Sequence, residues 1–221
     1  MQHVLIVGAS GGIGAALSAA LARQGTTVTG LSRRLNGLDL TDEASIARVL
    51  GALVGPFDAL IVATGGLQIG PHAPEKALRA VTPDALACQF ALNATGPLLV
   101  LKHAMRLMPR DRPCRFAALS ARVGSIGDNG LGGWYSYRAA KAALNQLIHT
   151  AAIEVARSHP LASVVALHPG TVDTGLTAGH RGSHPVVSPA EAAAHLINVL
   201  ASLGPQHSGG FYDWRGDAVP W

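Results

Sequence analysis

Tyr137-Arg138-Ala139-Ala140-Lys141 places a phenol and an ammonium four residues apart. On a helix that spacing puts both side chains on one face, where they can enter the same pocket. A free tyrosine titrates near pH ~10 and is a poor acid or base at neutrality. A nearby cation favours the phenolate and draws that value toward the working range, which is the chemistry of a general acid/base. Lys141 is one of only three lysines, in a stretch otherwise rich in Ala, Leu and Ile. Taken alone, the spacing also fits a surface lysine beside a packed tyrosine.

A second chemical signal stands near the start of the chain. The apolar run His3 to Val7 exits into Gly8-Ala9-Ser10-Gly11-Gly12-Ile13-Gly14, after which an Ala-rich helical pattern begins. Glycines at such an exit permit a tight turn and close approach of a pyrophosphate, which then sits on the unpaired N–H groups of the helix. Gly8, Ser10, Gly12, Ile13 and Gly14 are therefore candidate cofactor-binding residues. The next apolar run, Thr27 to Leu31, ends in Ser32-Arg33-Arg34 with no acid. A carboxylate there would accept from a ribose 2′-hydroxyl, whereas arginine forks suit a 2′-phosphate. Ser32, Arg33 and Arg34 thus point to NADP(H) over NAD(H).

These groups need a scaffold that brings strand exits together. Strand-length apolar runs lie at His3 to Val7, Thr27 to Leu31, Asp58 to Ala63, Arg115 to Ser120, Ser163 to Leu167 and Gly209 to Tyr212, with a short one at Gly37 to Leu40. Between them lie helical patterns near Gly12 to Gln24, Asp42 to Leu53, Pro83 to Met108, Trp134 to His159 and Pro189 to Leu203. Thr82-Pro83 and Ser188-Pro189 are helix starts, each a capping hydroxyl followed by proline. The alternation predicts an α/β fold: a doubly wound, mostly parallel, Rossmann-like sheet with helices on both faces. No linker or repeat divides the 221 residues, so one domain is expected.

Composition excludes several other classes. Hydrophobic residues make up 48% and charged residues 14%, which is too apolar for disorder. The net charge is +4, but the arginines are scattered and form no stripe for nucleic acid. Apolar runs break before spanning length, so no membrane helix is expected. Cys88 and Cys114 and the ten histidines show no metal spacing, so no metal is expected. The start, Met-Gln-His before Val-Leu-Ile-Val, lacks a signal pattern and suggests a cytoplasmic protein.

The glycine spacing of Gly8, Gly12 and Gly14, joined to Tyr137 and Lys141, resembles the short-chain dehydrogenase/reductase family over essentially the whole chain. The stretches from Leu119 to Gly127 and from Gly132 to Tyr137 are similar to its C-factor and Sniffer-like carbonyl reductase branch. The resemblance implies Tyr137 as general acid/base, with Lys141 lowering its pKa and holding the nicotinamide ribose. Asn93, before Gly96-Pro97, would hold a proton-relay water. Physically, Pro97 also frees the carbonyl of Asn93. Asp39 and Leu40 would lie toward adenine, although Asp39 equally suits a turn before a helix capped by Thr41 or Asp42. Gly65 would end the turn beside adenine, where Val62 and Ala63 replace the family's two Asn. Pro169, Gly170, Val172 and Thr174 would meet the nicotinamide carboxamide.

The family's substrate-binding serine is displaced here. Three residues before Gly124 stands Ala121, so Ser120 is the first candidate and Ser125 the second. His168 is read as a structural or rim residue. Substrate choice is assigned to Gly175 to Val187 and Gly127 to Tyr135. Trp134, Tyr135 and Trp214 are candidates for an aromatic wall or, equally, for core or subunit packing. The expected activity is hydride transfer between NADPH and a small carbonyl or alcohol, by a homodimer or homotetramer with no nucleic-acid or membrane partner. The alternative is a non-catalytic NADP(H)-binding sensor or signalling protein.

Overall fold

The computed structural model describes residues 1–176 and 186–221. Its strands are β1 (His3–Val7), β2 (Thr27–Leu31), β3 (Ala59–Val62), β4 (Cys114–Leu119), β5 (Ala162–His168), β6 (Thr171–Val172), β7 (Val186–Val187) and β8 (Phe211–Asp213). Six of them form one sheet in the order β2-β1-β3-β4-β5-β8, and β6 pairs with β7 beside it. Every neighbouring pair in the large sheet is parallel. The helices are α1 (Gly12–Arg23), α2 (Arg33–Asn36), α3 (Glu43–Gly51), α4 (Pro83–Phe90), α5 (Gly96–Ala104), α6 (Tyr135–Ser158) and α7 (Pro189–Ser202).

The mostly apolar central strands follow from burial on both faces. Along β1, Val4 and Ile6 join one core layer while Leu5 and Val7 join the other. Ala59 and Ile61 against Leu60 and Val62 repeat this in β3, as do Val165 and Leu167 against Val164 and Ala166 in β5. The first layer is closed by α1 and α7, which pack together; α3, α5 and α6 close the second, with α4 packed on α6. Thr82 Oγ1 accepts from the Ala85 N–H at 3.2 Å and Ser188 Oγ from the Glu191 N–H at 3.1 Å, so both expected caps are present.

Two expected elements differ. Gly37 to Leu40 is no strand. Gly37 ends the short helix α2 at φ 67°, its carbonyl accepts from Ser45 Oγ, and that oxygen accepts from the Asp39 N–H. The expected helix Pro83 to Met108 is interrupted by a π turn at Ala91–Thr95, where the Gly96 N–H reaches the Ala91 carbonyl. Pro97 has no N–H to give Asn93, and the wider turn takes up the mismatch. By length and composition alone the run Pro83–Leu107 also suffices to cross a bilayer, with an 18-residue stretch at a mean hydropathy of 1.2. Within the fold it packs on α3 and α6.

Strand order reverses direction at β1, with β2 on one side and β3 on the other. The exits of β1 and β3 therefore diverge and leave a crevice at the carboxyl edge of the sheet.

Candidate active site

A cavity of about 690 Å³ fills that crevice and extends across the exits of β4 and β5. Gly11 to Ile13 follow β1, Thr64 and Gly65 follow β3, Ser120 to Val123 follow β4, and His168 to Val172 end or follow β5; all line it. Tyr137, Arg138 and Lys141 complete the wall from α6. Two sequence signals some 125 residues apart thus meet in one space.

The loop after β1 is shaped by its glycines. Gly8 holds φ +93°, and its N–H donates to the Leu31 carbonyl at 2.8 Å. A Cβ on Gly14 would overlap the Gly8 carbonyl oxygen, so only glycine lets α1 begin this close to β1. The cap residue Gly11 brings no side-chain acceptor, and the first turn of α1 has no acid. Its leading amides therefore carry the helix's partial positive charge without a side-chain anion. Gly12 and Ile13 line the cavity, whereas Gly8 and Gly14 are buried beneath it and Ser10 is exposed on the loop.

At the end of β2, Ser32 caps α2, its Oγ accepting from the Leu35 N–H at 3.1 Å. Arg33 and Arg34 are exposed, with no salt bridge among the described residues. Asp39 accepts from the Thr41 N–H at 2.9 Å and from Thr41 Oγ1 at 2.7 Å. Those two bonds, with Arg33 nearby, lower its pKa. The turn role holds for that oxygen, and Asp42 is the cap of α3. Leu40 is buried, and none of these residues reaches the cavity wall.

Tyr137 and Lys141 are 7% and 2% exposed. Lys141 Nζ lies 5.8 Å from the centre of the Tyr137 ring and donates to the Leu119 carbonyl at 2.8 Å. Burial raises the Tyr137 pKa and pushes that of Lys141 down to about 7. Both shifts favour the neutral side chain, so the expected lowering of the Tyr137 pKa by Lys141 is not found: desolvation of the buried phenol outweighs it. Gly65 faces this lysine: a Cβ there would stand 3.5 Å from Nζ and 3.0 Å from Asn93 Oδ1.

The serine candidates separate. Ser120 lines the cavity, but its hydroxyl donates to Asn145 Oδ1 at 2.7 Å. Ser125 is buried outside the cavity wall, its Oγ accepting from the Asp128 N–H at 3.2 Å. Ala121 lines the cavity with a methyl group. Asn93 is fully buried behind the wall; its side chain accepts from the Gly66 N–H at 3.1 Å and donates to the Gly66 carbonyl at 2.9 Å. It positions the glycine turn beside Lys141.

Beyond β5, Pro169, Gly170, Val172 and Thr174 line the cavity, and a Cβ on Gly12 would come within 2.7 Å of Thr174 Cγ2. This segment closes against the phosphate loop. His168 also lines the cavity rather than staying at the rim, and its buried Nδ1 has no hydrogen-bond partner among the described residues. Burial pushes its pKa down to about 4, against the pull of Asp213, so it is neutral at neutral pH. Of the three aromatic candidates only Trp134 lines the cavity, its ring 6.3 Å from that of Tyr137 and edge-on. Tyr135 is exposed, and Trp214 packs on His195 and Arg215. Of the segment Gly175 to Val187, residues 177–185 lie outside the described residues.

Sequence reasoning missed Asn145, Gln89 and Glu75. Asn145 follows Lys141 by four and Tyr137 by eight, a polar residue continuing one helical stripe, and that stride was a usable signal. Gln89 donates to the Leu67 carbonyl at 2.8 Å and accepts from Asn93 Nδ2 at 2.5 Å. Glu75 meets Ser136 across 61 residues, which no local pattern announces.

Comparison with known proteins agrees with this architecture. A family model described as short chain dehydrogenase matches residues 35–184. The 1-hydroxy-2-glutathionyl-2-methyl-3-butene dehydrogenase of Rhodococcus sp. (strain AD45) is 30% identical over 241 residues, covering 100% of both chains. C-signal of Myxococcus xanthus is 34% identical over 170 residues, 76% of this chain and 94% of that one. A solved short-chain dehydrogenase/reductase from Burkholderia multivorans with bound NADP is 26% identical, with a TM-score of 0.81 over 100% of this chain and 99% of that one. The chain belongs to the short-chain dehydrogenase family of oxidoreductases.

Proposed function

We propose that this chain is an NADP(H)-dependent oxidoreductase that moves a hydride between NADPH and a carbonyl or alcohol, with Tyr137 as general acid/base. The observation that carries the reading is Tyr137 beside Lys141, both buried at the wall of the cavity that starts at α1. The uncapped α1 amides and the close seat of Gly14 on Gly8 fit a pyrophosphate. Ser10, Gly12 and Ile13 would hold it, with Gly8 and Gly14 shaping the loop beneath, and Ser32, Arg33 and Arg34 would hold a 2′-phosphate. Asp39, Leu40 and Gly65 belong to the adenine side; Pro169, Gly170, Val172 and Thr174 belong to the nicotinamide side. The Burkholderia relative, which carries NADP, supports that choice.

When bound, NADPH supplies the hydride. A phenol whose pKa is raised stays protonated at neutral pH, so Tyr137 is set to give its proton to a developing alkoxide. Lys141, in its ammonium form, would stabilise the phenolate left behind. Asn93 acts through the Gly65–Gly66 turn, and Ser120 can reach substrate oxygen only by exchanging its bond to Asn145. Val123, Leu131 and Trp134 give the substrate end apolar surface beside Arg122 and Arg138, which suits a compact or flat carbonyl compound. The reading extends to a cytoplasmic homodimer or homotetramer, which light scattering of the purified protein would test.

The deciding experiment is Tyr137→Phe in a screen of carbonyl compounds for NADPH oxidation. A fall in kcat of about 10³-fold with NADPH affinity retained is expected. Full activity in the variant would sink the reading. Ala121 at the cavity wall and the tethered Ser120 favour a second reading, an NADP(H)-binding sensor or signalling protein. Under it, Tyr137→Phe would leave biological activity intact.

A further inference from the structure

Tyr137 sits in the first turn of α6, and that turn begins in an unusual way. Trp134, directly before the helix, supplies no side-chain cap and holds left-handed backbone at φ 52°. It follows Gly132 at φ 64° and Gly133 at φ 67°. Glycine adopts this conformation readily, but a tryptophan pays roughly 1–2 kcal/mol for it. The surrounding structure must therefore hold the chain there.

Glu75 does so from the segment that follows β3. Its backbone carbonyl accepts from the Trp134 N–H at 2.5 Å. Its carboxylate accepts from the Ser136 N–H at 3.2 Å and, through the other oxygen, from Ser136 Oγ. Glu75 is 5% exposed and makes no salt bridge among the described residues. A buried carboxylate without a cation is costly. An amide, a hydroxyl and the positive end of a 24-residue helix offset that cost. Arg138 adds to the hold, donating from Nε to the Gly132 carbonyl at 3.2 Å and the Gly133 carbonyl at 3.0 Å.

We infer that Glu75 is a positioning residue for the reaction: a cap delivered from a distant segment, which sets the Trp134 ring and the Tyr137 phenol at the cavity wall. The inference rests on the reading of Tyr137 as the acid/base. It goes further in naming what fixes that group. Through its carboxylate Glu75 holds Ser136, the neighbour of Tyr137, and through its backbone carbonyl it holds Trp134, two residues before Ser136, so both cavity-lining rings lie within three residues of its contacts. The same segment starts at the Gly65–Gly66 turn that Asn93 ties down. One stretch of chain thus runs from the glycine facing Lys141 to the cap of the helix that carries it.

Three variants test this: Glu75→Ala, Glu75→Gln and Ser136→Ala. Glu75→Ala is expected to lower kcat by about 10-fold or more, in line with a sub-ångström displacement of a reacting group, while the Kd for NADPH stays within about 2-fold. Glu75→Gln keeps an oxygen for the Ser136 N–H and is expected to recover kcat to within about 3-fold of wild type. Ser136→Ala, which leaves Glu75 and the amide bond in place, is expected to lower kcat about 2–5-fold. A second readout is acrylamide quenching of tryptophan emission. It should rise in Glu75→Ala, fall back in Glu75→Gln, and lose this difference in a Trp134→Phe background. Wild-type kcat in both Glu75→Ala and Ser136→Ala would overturn the inference, as would equal losses in the Ala and Gln variants. If Glu75→Ala does not fold, wild-type kcat and quenching in Ser136→Ala overturn it alone. Tyr137→Phe judges the acid/base reading and Trp134 quenching judges the cap, so each can fail without the other.

Discussion

Replacing Lys141 with methionine tests whether burial governs the electrostatics of the site. The ammonium is 2% exposed, and its pKa falls from 10.5 in solvent to about 7 in the fold. At about 1.4 kcal/mol per pH unit, that gap is roughly 5 kcal/mol of preference for the neutral amine. Below pH 7 the lysine is charged in both folded and unfolded chains, and the folded state carries the whole penalty. Above pH ~10.5 it is neutral in both and the penalty is gone. Between these limits the unfolded chain binds the extra proton, so wild-type stability rises with pH across this window. Methionine removes the titration while keeping most of the volume. Its stability advantage over wild type should therefore be about 3 kcal/mol larger at pH 6 than at pH 9.5. The lost hydrogen bond to the Leu119 carbonyl costs about 1 kcal/mol at either pH and leaves that difference intact. The raised pKa of Tyr137 acts mainly above its ordinary value near 10 and is common to both proteins. Urea unfolding of the two proteins at the two pH values measures the effect as a midpoint shift of about 1–1.5 M. An advantage of equal size at both pH values would refute the argument.

Ser120→Ala should cost less than about 10-fold in kcat because its proton is already held by Asn145, while Ala121→Ser should raise kcat several-fold by placing a donor at the cavity wall, worth up to ~10²-fold in sites of this kind. Steady-state kinetics with any accepted carbonyl compound checks both, and a larger loss in Ser120→Ala would return the donor role to Ser120. Gly14→Ala, which on an open helix would gain about 1 kcal/mol, should instead lower the melting temperature and abolish NADPH binding, since its methyl group meets the Gly8 carbonyl. Arg33→Ala combined with Arg34→Ala should raise the Kd for NADPH by about 10–100-fold while barely changing that for NADH, as titration of each would report. An equal loss for both cofactors would remove the 2′-phosphate assignment.

The parts of this molecule governed by local rules could be read directly. Two-sided burial leaves β1, β3, β4 and β5 as mostly apolar runs, and their exits mark where a cavity must lie. Tyr137 and Lys141 follow from helical stride. Gly37 to Leu40 looks like a strand because Leu38 and Leu40 alternate with polar neighbours, yet both leucines are buried from a turn held by Ser45. The serine question could not be settled from spacing, because at a strand exit alternation no longer says which side a hydroxyl takes. Its answer lies in Asn145, on another element. Glu75 is least legible of all: its charge makes sense only beside a helix start far along the chain.

The loop between Ser125 and Leu131 differs in kind from the segment that carries Glu75. Ile126 and Leu131 are 77% and 88% exposed, and the tip is pinned to the rest of the fold by the Gly127 N–H, which donates to the Trp221 carbonyl at 2.8 Å. Leu131 nonetheless borders the cavity. Rewriting this loop would change the cavity border at Leu131 while leaving the Glu75–Ser136 contact in place. A change in length between Gly65 and Glu75 would shift the glycine turn and the helix start together. The chain thus separates a region free to diversify from one obliged to keep its length.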